Sequence, residues 1–500
     1  MNHLLIVPLL LPATAAMINL LLADRGTGLQ RVVSLFATVC LLPLAILLLG
    51  LADTGAFSVY QLGNWPAPFG IVLVLDRLSA LLLLVTAILA LFTLLYSFND
   101  HDLRGRDFHM LFQLLLLGIN GAFLTGDLFN LFVFFEILLI ASYCLALHGS
   151  GPERTRAGLH YVVLNLIGSS MFLVAVGTLY GVTGTLNMAD LAVKVAAAAP
   201  EEATLLRVSA LLLLVVFGLK AALLPLHLWL PALYGNSVAP VSALFAILTK
   251  VGLYGILRTS TLIFAADGQA PVLAGGWLPA LALLTLAAGI VGMLGSDRLR
   301  RLIAYLVVAS SGTLLAGIAQ FSVAGITAAL YYLPHSTLVT AGLFLLADLI
   351  ARQRGRTGDH FSPAPPVAQP TRLGVLFFLG AVAVAGMPPL SGFIGKLLLL
   401  QAVAPAEALW LWSVVLAGSL AGLIALSRAG SRIFWKTEGE RAEGLRADLP
   451  RLVPAAMLLG LSVAMTVFAA PITRYAEATA VQLLQPQNYI AAVLNPEKEP

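Results

Sequence analysis

Three of the chain's six lysines lie deep in apolar stretches: Lys220 in VVFGLKAALLPLHLWLP, Lys250 in VSALFAILTKVGLYGILR and Lys396 in AGMPPLSGFIGKLLLL. Glu136 sits among bulky apolar residues in LFNLFVFFEILLIASY, and His335 follows Pro334, at an expected helix irregularity, in YYLPHSTLV. Nearly every loop cation, by contrast, is arginine. Desolvation shifts a lysine's pKa readily, whereas arginine keeps its proton. A chain of groups that loads and unloads protons can therefore use Lys, Glu and His but not Arg. That sorting points to proton transfer through buried ionisable groups.

Each of these residues also has a plainer reading. Glu136 can pin two helices by a hydrogen bond, and Lys220 can snorkel to an interface. Against that stands the cost of a charge at the bilayer centre, about 2.5–3.5 kcal/mol on insertion scales. His335 titrates near neutrality when unperturbed, which suits proton exchange. His227, two residues past Pro225, reads equally as a proton carrier or as a structural hydrogen-bond donor. Asp76 and Arg77 open one apolar segment, and Asp127 and Asp348 stand near segment ends. All three aspartates read first as caps or positioning charges, with Asp76 the best of them as a cation ligand. GFIGK superficially matches a phosphate loop, but its first glycine is misplaced and Leu397 stands where Ser or Thr is required. Nucleotide binding is excluded on that ground.

The elements that carry these groups must be membrane spans. Of 500 residues, 60% are hydrophobic and only 10% charged, with a mean hydropathy of +0.95. No soluble core hides that much apolar surface. The fold class is an all-α membrane protein with about fourteen transmembrane helices, expected at 3–23, 30–51, 70–97, 108–126, 128–147, 159–182, 205–224, 238–262, 273–295, 301–320, 322–350, 372–402, 407–427 and 452–472. The first reads as a retained span, because no Lys or Arg precedes it as a signal peptide requires. Loops after odd-numbered spans hold nineteen of the 28 Lys and Arg, and those after even-numbered spans, with the tail, hold five. The positive-inside rule then puts both termini on the non-cytoplasmic side. Cys40 and Cys144 form neither a metal spacing nor a disulfide framework. Segments 186–204 and 429–450 read as surface helices or solvated loops, and 359–371 as a proline-rich linker.

Pro225 and Pro231 should interrupt the seventh span, and Pro388-Pro389 with Gly392 the twelfth. Broken helices recur at transporter ion sites. Two such helices five spans apart cross in opposite directions, as an inverted repeat of five helices demands. The chain divides accordingly into spans 1–3 (1–107), a first repeat (108–262), a second repeat (273–427), a final span (452–472) and a polar tail (473–500).

At these residues the chain resembles the antiporter-like subunits shared by respiratory complex I and the multisubunit Mrp cation/proton antiporters. The signatures are FGLKAALLPLHLWLPALYGNSVAPVSALFAILTKVGLYGILR, FFEILLIASY and GMPPLSGFIGKLLLL, and GNWPAPFGIVLVLDRLSALLL looks most like the D-type member of the Mrp set. The resemblance implies Glu136 paired with Lys220, proton transfer through Lys250 and His335, and Lys396 as the distal exchange site. It implies Na+ or K+ as the counter-ion, no cofactor and no metal. Its expected partners are an A-type antiporter-like subunit, small membrane subunits and lipid in a bacterial inner membrane, with no nucleic acid. Many relatives place a lysine where this chain has Thr340, so the link between Lys250 and Lys396 leans more on water and His335. The rival readings are a membrane subunit of a redox-driven pump, a single-chain porter and a structural scaffold. No iron–sulfur, haem or flavin motif occurs in the chain, so redox chemistry would reside in partners.

Overall fold

The computed structural model describes residues 3–265, 277–439 and 446–495. Residues 273–276 of the expected ninth span, 440–445 of the expected surface segment and 496–500 of the tail lie outside the described residues. Among the described residues twelve helices are long and apolar enough to cross a membrane. The chain is therefore a multi-pass helical membrane protein.

The N-terminal part comprises α1 (Val7–Leu21), α2 (Thr27–Asp53), α3 (Arg77–Ser97), α4 (Phe108–Leu124), α5 (Leu128–Leu147) and α6 (Pro152–Thr183). The expected third span began at 70, but Val72–Leu75 is strand β2, paired antiparallel with β1 (Ser58–Gln61). A continuous run of apolar residues reads alike as strand or helix. Asp76 begins the helix instead, its carboxylate accepting from the Ser79 backbone while Ser79 answers the Asp76 backbone. Asp127 likewise caps α5 through the Asn130 N–H.

The central part holds α7 (Met188–Ala196), α8 (Ala203–Lys220), α9 (Trp229–Asn236), α10 (Ala239–Leu244) and α11 (Leu248–Arg258), the last followed by a π-helical turn over Thr259–Ile263. Next come α12 (Trp277–Leu294), α13 (Leu299–Ile318) and α14 (Val323–Gln353). The sequence suggested an irregularity at Pro334, yet α14 runs unbroken through it. Buried along almost its whole length, α14 packs against α3, α10, α13, α16, α18 and α19.

The C-terminal part comprises α15 (Pro370–Ala385), α16 (Ser391–Ala402), α17 (Pro405–Gly430), α18 (Leu449–Val467), α19 (Ala469–Leu483) and α20 (Pro486–Leu494). The expected polar tail is thus helical through Leu494, and α19 returns onto α3 and α14 while α20 lies against α7 and β1. The stretch after α17 begins as a π-helical turn over Ser431–Trp435.

Candidate functional site: a buried row of ionisable groups

Two breaks shape the site. α8 ends at Lys220, and Ala222 then takes a left-handed conformation (φ 56°) before the chain resumes helix. At the break the Leu219 carbonyl accepts from the Ala222 N–H at 3.2 Å and also from the Trp229 indole at 3.1 Å. α15 ends at Ala385 with Gly386 left-handed at φ 75°. The carbonyls of Val384 and Ala385 accept from Lys396 Nζ at 2.9 and 3.2 Å, and the Ser419 hydroxyl of α17 accepts at 2.9 Å. A helix end inside a membrane needs such partners, since no water is there to satisfy its carbonyls.

Glu136 and Lys220, expected as a pair, form no ion pair among the described residues. They are instead joined by one face of α6. Lys220 Nζ donates to Asn165 Oδ1 at 2.9 Å, and Ser169, one turn on, donates to Glu136 Oε1. Lys220 also stands over the Phe135 ring at 5.8 Å. Lys250 is fully buried and donates to Thr249 and to Ser310 of α13, both at 3.3 Å. One turn along α13 from Ser310, Thr313 lies beside the hydroxyl of Tyr332, whose ring is 5.3 Å from His335. His335 Nδ1 is 2.7 Å from the Ser391 hydroxyl at the start of α16, and Lys396 follows on α16. These contacts tie Glu136 to Lys220 and lead from Lys250 by way of α13 to His335 and α16, while α8 and α11, which carry Lys220 and Lys250, pack against each other. Lys220, Lys250 and His335 are 6%, 0% and 1% exposed, whereas Glu136 and Lys396 are half-buried.

The accessory candidates fare differently. Asp76 is engaged rather than open to a cation: Oδ2 pairs with Arg258 at 2.6 Å, and Oδ1 accepts from Ser79 twice. Thr340 turns its hydroxyl onto the Ser336 carbonyl of its own helix at 2.6 Å. His227 is buried in the turn after Pro225, and its Nδ1 has no hydrogen-bond partner among the described residues.

Asn165, Ser169, Ser310, Ser391 and Ser419 were not singled out from the sequence. One available signal was Asn165 and Ser169 at i and i+4 in a largely apolar stretch of α6, which places both on one face. Among the described residues no group of His, Cys, Asp and Glu could hold a metal ion.

A second polar cluster closes one end of the bundle. Asp348 accepts from Arg300 at 2.8 Å, Arg352 at 2.9 Å and Tyr96 at 2.9 Å, and pairs with His101 at 3.0 Å. Nearby, Asp102 pairs with Arg31 at 2.6 Å and His109 at 3.2 Å. Burial disfavours the Asp102 charge, but His109 and Arg31 outweigh it and hold the carboxyl at about 2. Burial lowers the pKa of His101.

The chain is thus a helical membrane protein that buries Lys, Glu and His side chains among its helices, and ionisable groups in such places commonly mark ion pathways. The chain belongs to the family described as NADH:quinone oxidoreductase/Mrp antiporter, TM, whose profile matches residues 125–422. It is 42% identical to the probable K(+)/H(+) antiporter D subunit of Rhizobium meliloti (strain 1021), covering 99% of this chain and 98% of that one. It is 39% identical to the Na(+)/H(+) antiporter D subunit of Bacillus subtilis (strain 168), covering 99% and 100%. A chain of the Mrp complex from Dietzia sp. DQ12-45-1b superposes with a TM-score of 0.88 at 28% identity, covering 99% and 100%.

Proposed function

We propose that this chain is the D-type subunit of a multisubunit Mrp-type antiporter, exchanging Na+ or K+ for protons, and that it conducts the proton. The row from Glu136 to Lys396 carries this reading: five ionisable groups spread across a helical membrane protein, joined by hydroxyl and amide side chains. Glu136 sets the charge on Lys220 through α6. Protons pass by Lys250 and His335 to Lys396, with water bridging the gaps between side chains.

The chain crosses the membrane fourteen times in this reading. α4 and the broken pair α15–α16 add two crossings to the twelve long helices, and residues 108–262 and 273–427 form inverted repeats. Both termini lie on the non-cytoplasmic side of a bacterial inner membrane. The half-buried ends at Glu136 and Lys396 sit at membrane depth, where lipid is a poor neighbour for a charge. Partner subunits cover them, an A-type antiporter-like subunit and small membrane subunits among them.

The test is cation-dependent pH change in everted vesicles lacking native antiporters, comparing the whole operon with the same operon carrying Lys220→Ala. Exchange lost at normal assembly supports the reading. Exchange that persists makes Lys220 structural, and no exchange from the unmutated operon favours a redox-linked complex.

A further inference from the structure

On α11, Lys250, Tyr254 and Arg258 recur at i, i+4 and i+8, so they stack on one helix face over roughly 12 Å. The lower end of that column is the sealed Lys250. Its upper end is a buried ion pair, Arg258 with Asp76, which are 4% and 1% exposed. The Tyr254 hydroxyl lies 3.4 Å from Arg258 Nε and donates to the Phe123 carbonyl at 3.2 Å. The Arg258 guanidinium is sandwiched, 5.4 Å from the ring of Tyr254 and 5.4 Å from that of Tyr489 on α20. Tyr489 is itself buried, edge-on to Phe57.

Phe57, packed edge-on against Tyr489, also borders a cavity whose wall mixes polar and apolar residues. This open cavity of about 430 Å³ is lined by Gly55, Arg77, Gln482, Gln485 and Asn488 among others. The C-terminal helices that wall it are fastened by hydrogen bonds: Arg77 N–H to Gln482 at 3.1 Å, Gln482 to the Gly55 carbonyl at 3.2 Å, and Tyr475 to the Arg77 carbonyl at 3.0 Å. Asp127 at the start of α5 is close enough for its charge to act on the Tyr489 hydroxyl. A purely structural seal here would be cheaper with apolar side chains, because burying an ion pair costs several kcal/mol per ion.

We infer that the α11 column is a branch by which protons leave the row at Lys250 for the face bearing α20, with Tyr489 as the stopper at its mouth. This rests on the reading of the row as a proton path. Arg258 does not give up its proton. The proton leaves Lys250 Nζ, which becomes the neutral amine, and moves along the Tyr254 hydroxyl and water past the Asp76–Arg258 pair. It is received by the Asp127 carboxylate or by water in the cavity. Desolvation, opposed by the Asn130 and Phe129 N–H groups, pushes the Asp127 carboxyl up to about 6, so it is an ionised acceptor at neutral pH.

The test uses the intact multisubunit complex in proteoliposomes and follows the decay of an imposed pH gradient without Na+ or K+. Tyr489→Ala should raise that leak about tenfold, equivalent to about 1.4 kcal/mol off its barrier. Tyr489→Phe, which keeps the ring over Arg258, should leave the leak low, and Lys250→Ala added to Tyr489→Ala should abolish it. If Tyr489→Ala assembles poorly, Tyr489→Cys modified after purification with a bulky charged thiol reagent takes its place, with the Tyr489 chain treated alike. No leak from the opened mouth, or a leak indifferent to Lys250→Ala, overturns the branch. Neither result bears on the Lys220→Ala exchange assay, so the two readings fail separately.

Discussion

At the residue scale, the partners of the three lysines share one property: among the described residues, the oxygens that accept from them are neutral. Lys220 has an amide oxygen, Lys250 two hydroxyls, and Lys396 two carbonyls and a hydroxyl. A carboxylate in direct contact would hold the ammonium charged and stall release. Neutral oxygens hold the ammonium and still accept from the amine once its proton has gone. Lys220→Arg separates these roles. Arginine preserves the charge but keeps its proton, so cation-dependent exchange in vesicles should fall to background while the complex assembles normally. Exchange near the wild-type rate would mean that position 220 needs only a charge.

At the element scale, helix breaks and close helix approaches set the geometry. A Cβ on Gly392 would collide with the Ala383 carbonyl and lie 2.9 Å from His335 Nε2, so α16 reaches the end of α15 only through glycine. Gly392→Ala should cost about 1–3 kcal/mol as an overpacking change and should shift Ser391 away from His335. The expected outcome is a lower thermal midpoint together with lost exchange, whereas Gly177→Ala, with nothing within 4 Å, should leave both unchanged. Near both sites where the chain leaves helix stand prolines, Pro225 and Pro388-Pro389, which cannot supply an N–H to a continuing helix. Pro334 misled, because a buried helix such as α14 can carry a proline within its packing. α19 was not legible: Arg474, Glu477 and Gln482 make it too polar for a span, and its helical face has meaning only against α3 and α14. The ionisable residues of the proposed row stand out in the sequence by type. Their small polar partners do not, because Ser and Thr in helices commonly bond their own backbone, as Ser310 also does with Val307.

At the scale of the whole molecule, two charged assemblies brace opposite ends of the bundle. Asp76 and Arg258 join α3 to α11 at one end. At the other, Asp348 of α14 gathers Arg300 of α13, Arg352 of its own helix, Tyr96 of α3 and His101 of the following loop. Asp348→Asn would strip the shared counter-charge from two arginines. Removing one partner of a buried pair costs about 3–5 kcal/mol. The purified complex should therefore melt at a lower temperature, and a melting curve unchanged from wild type would show that solvent neutralises this cluster.

The row itself runs between helices rather than along them. Glu136, Lys250 and His335 each lie near the middle of a long helical segment, Leu128–Leu147, Ala239–Ile263 and Val323–Gln353. On the proposed path, a proton displaced sideways through them would stay at nearly constant depth and do almost no electrical work against the membrane voltage. The roughly 2.3 kcal/mol per charge that 100 mV represents is felt only on the vertical legs that feed and drain the row. Voltage would then act on the chain's entrances and exits and leave its lateral steps to local chemistry.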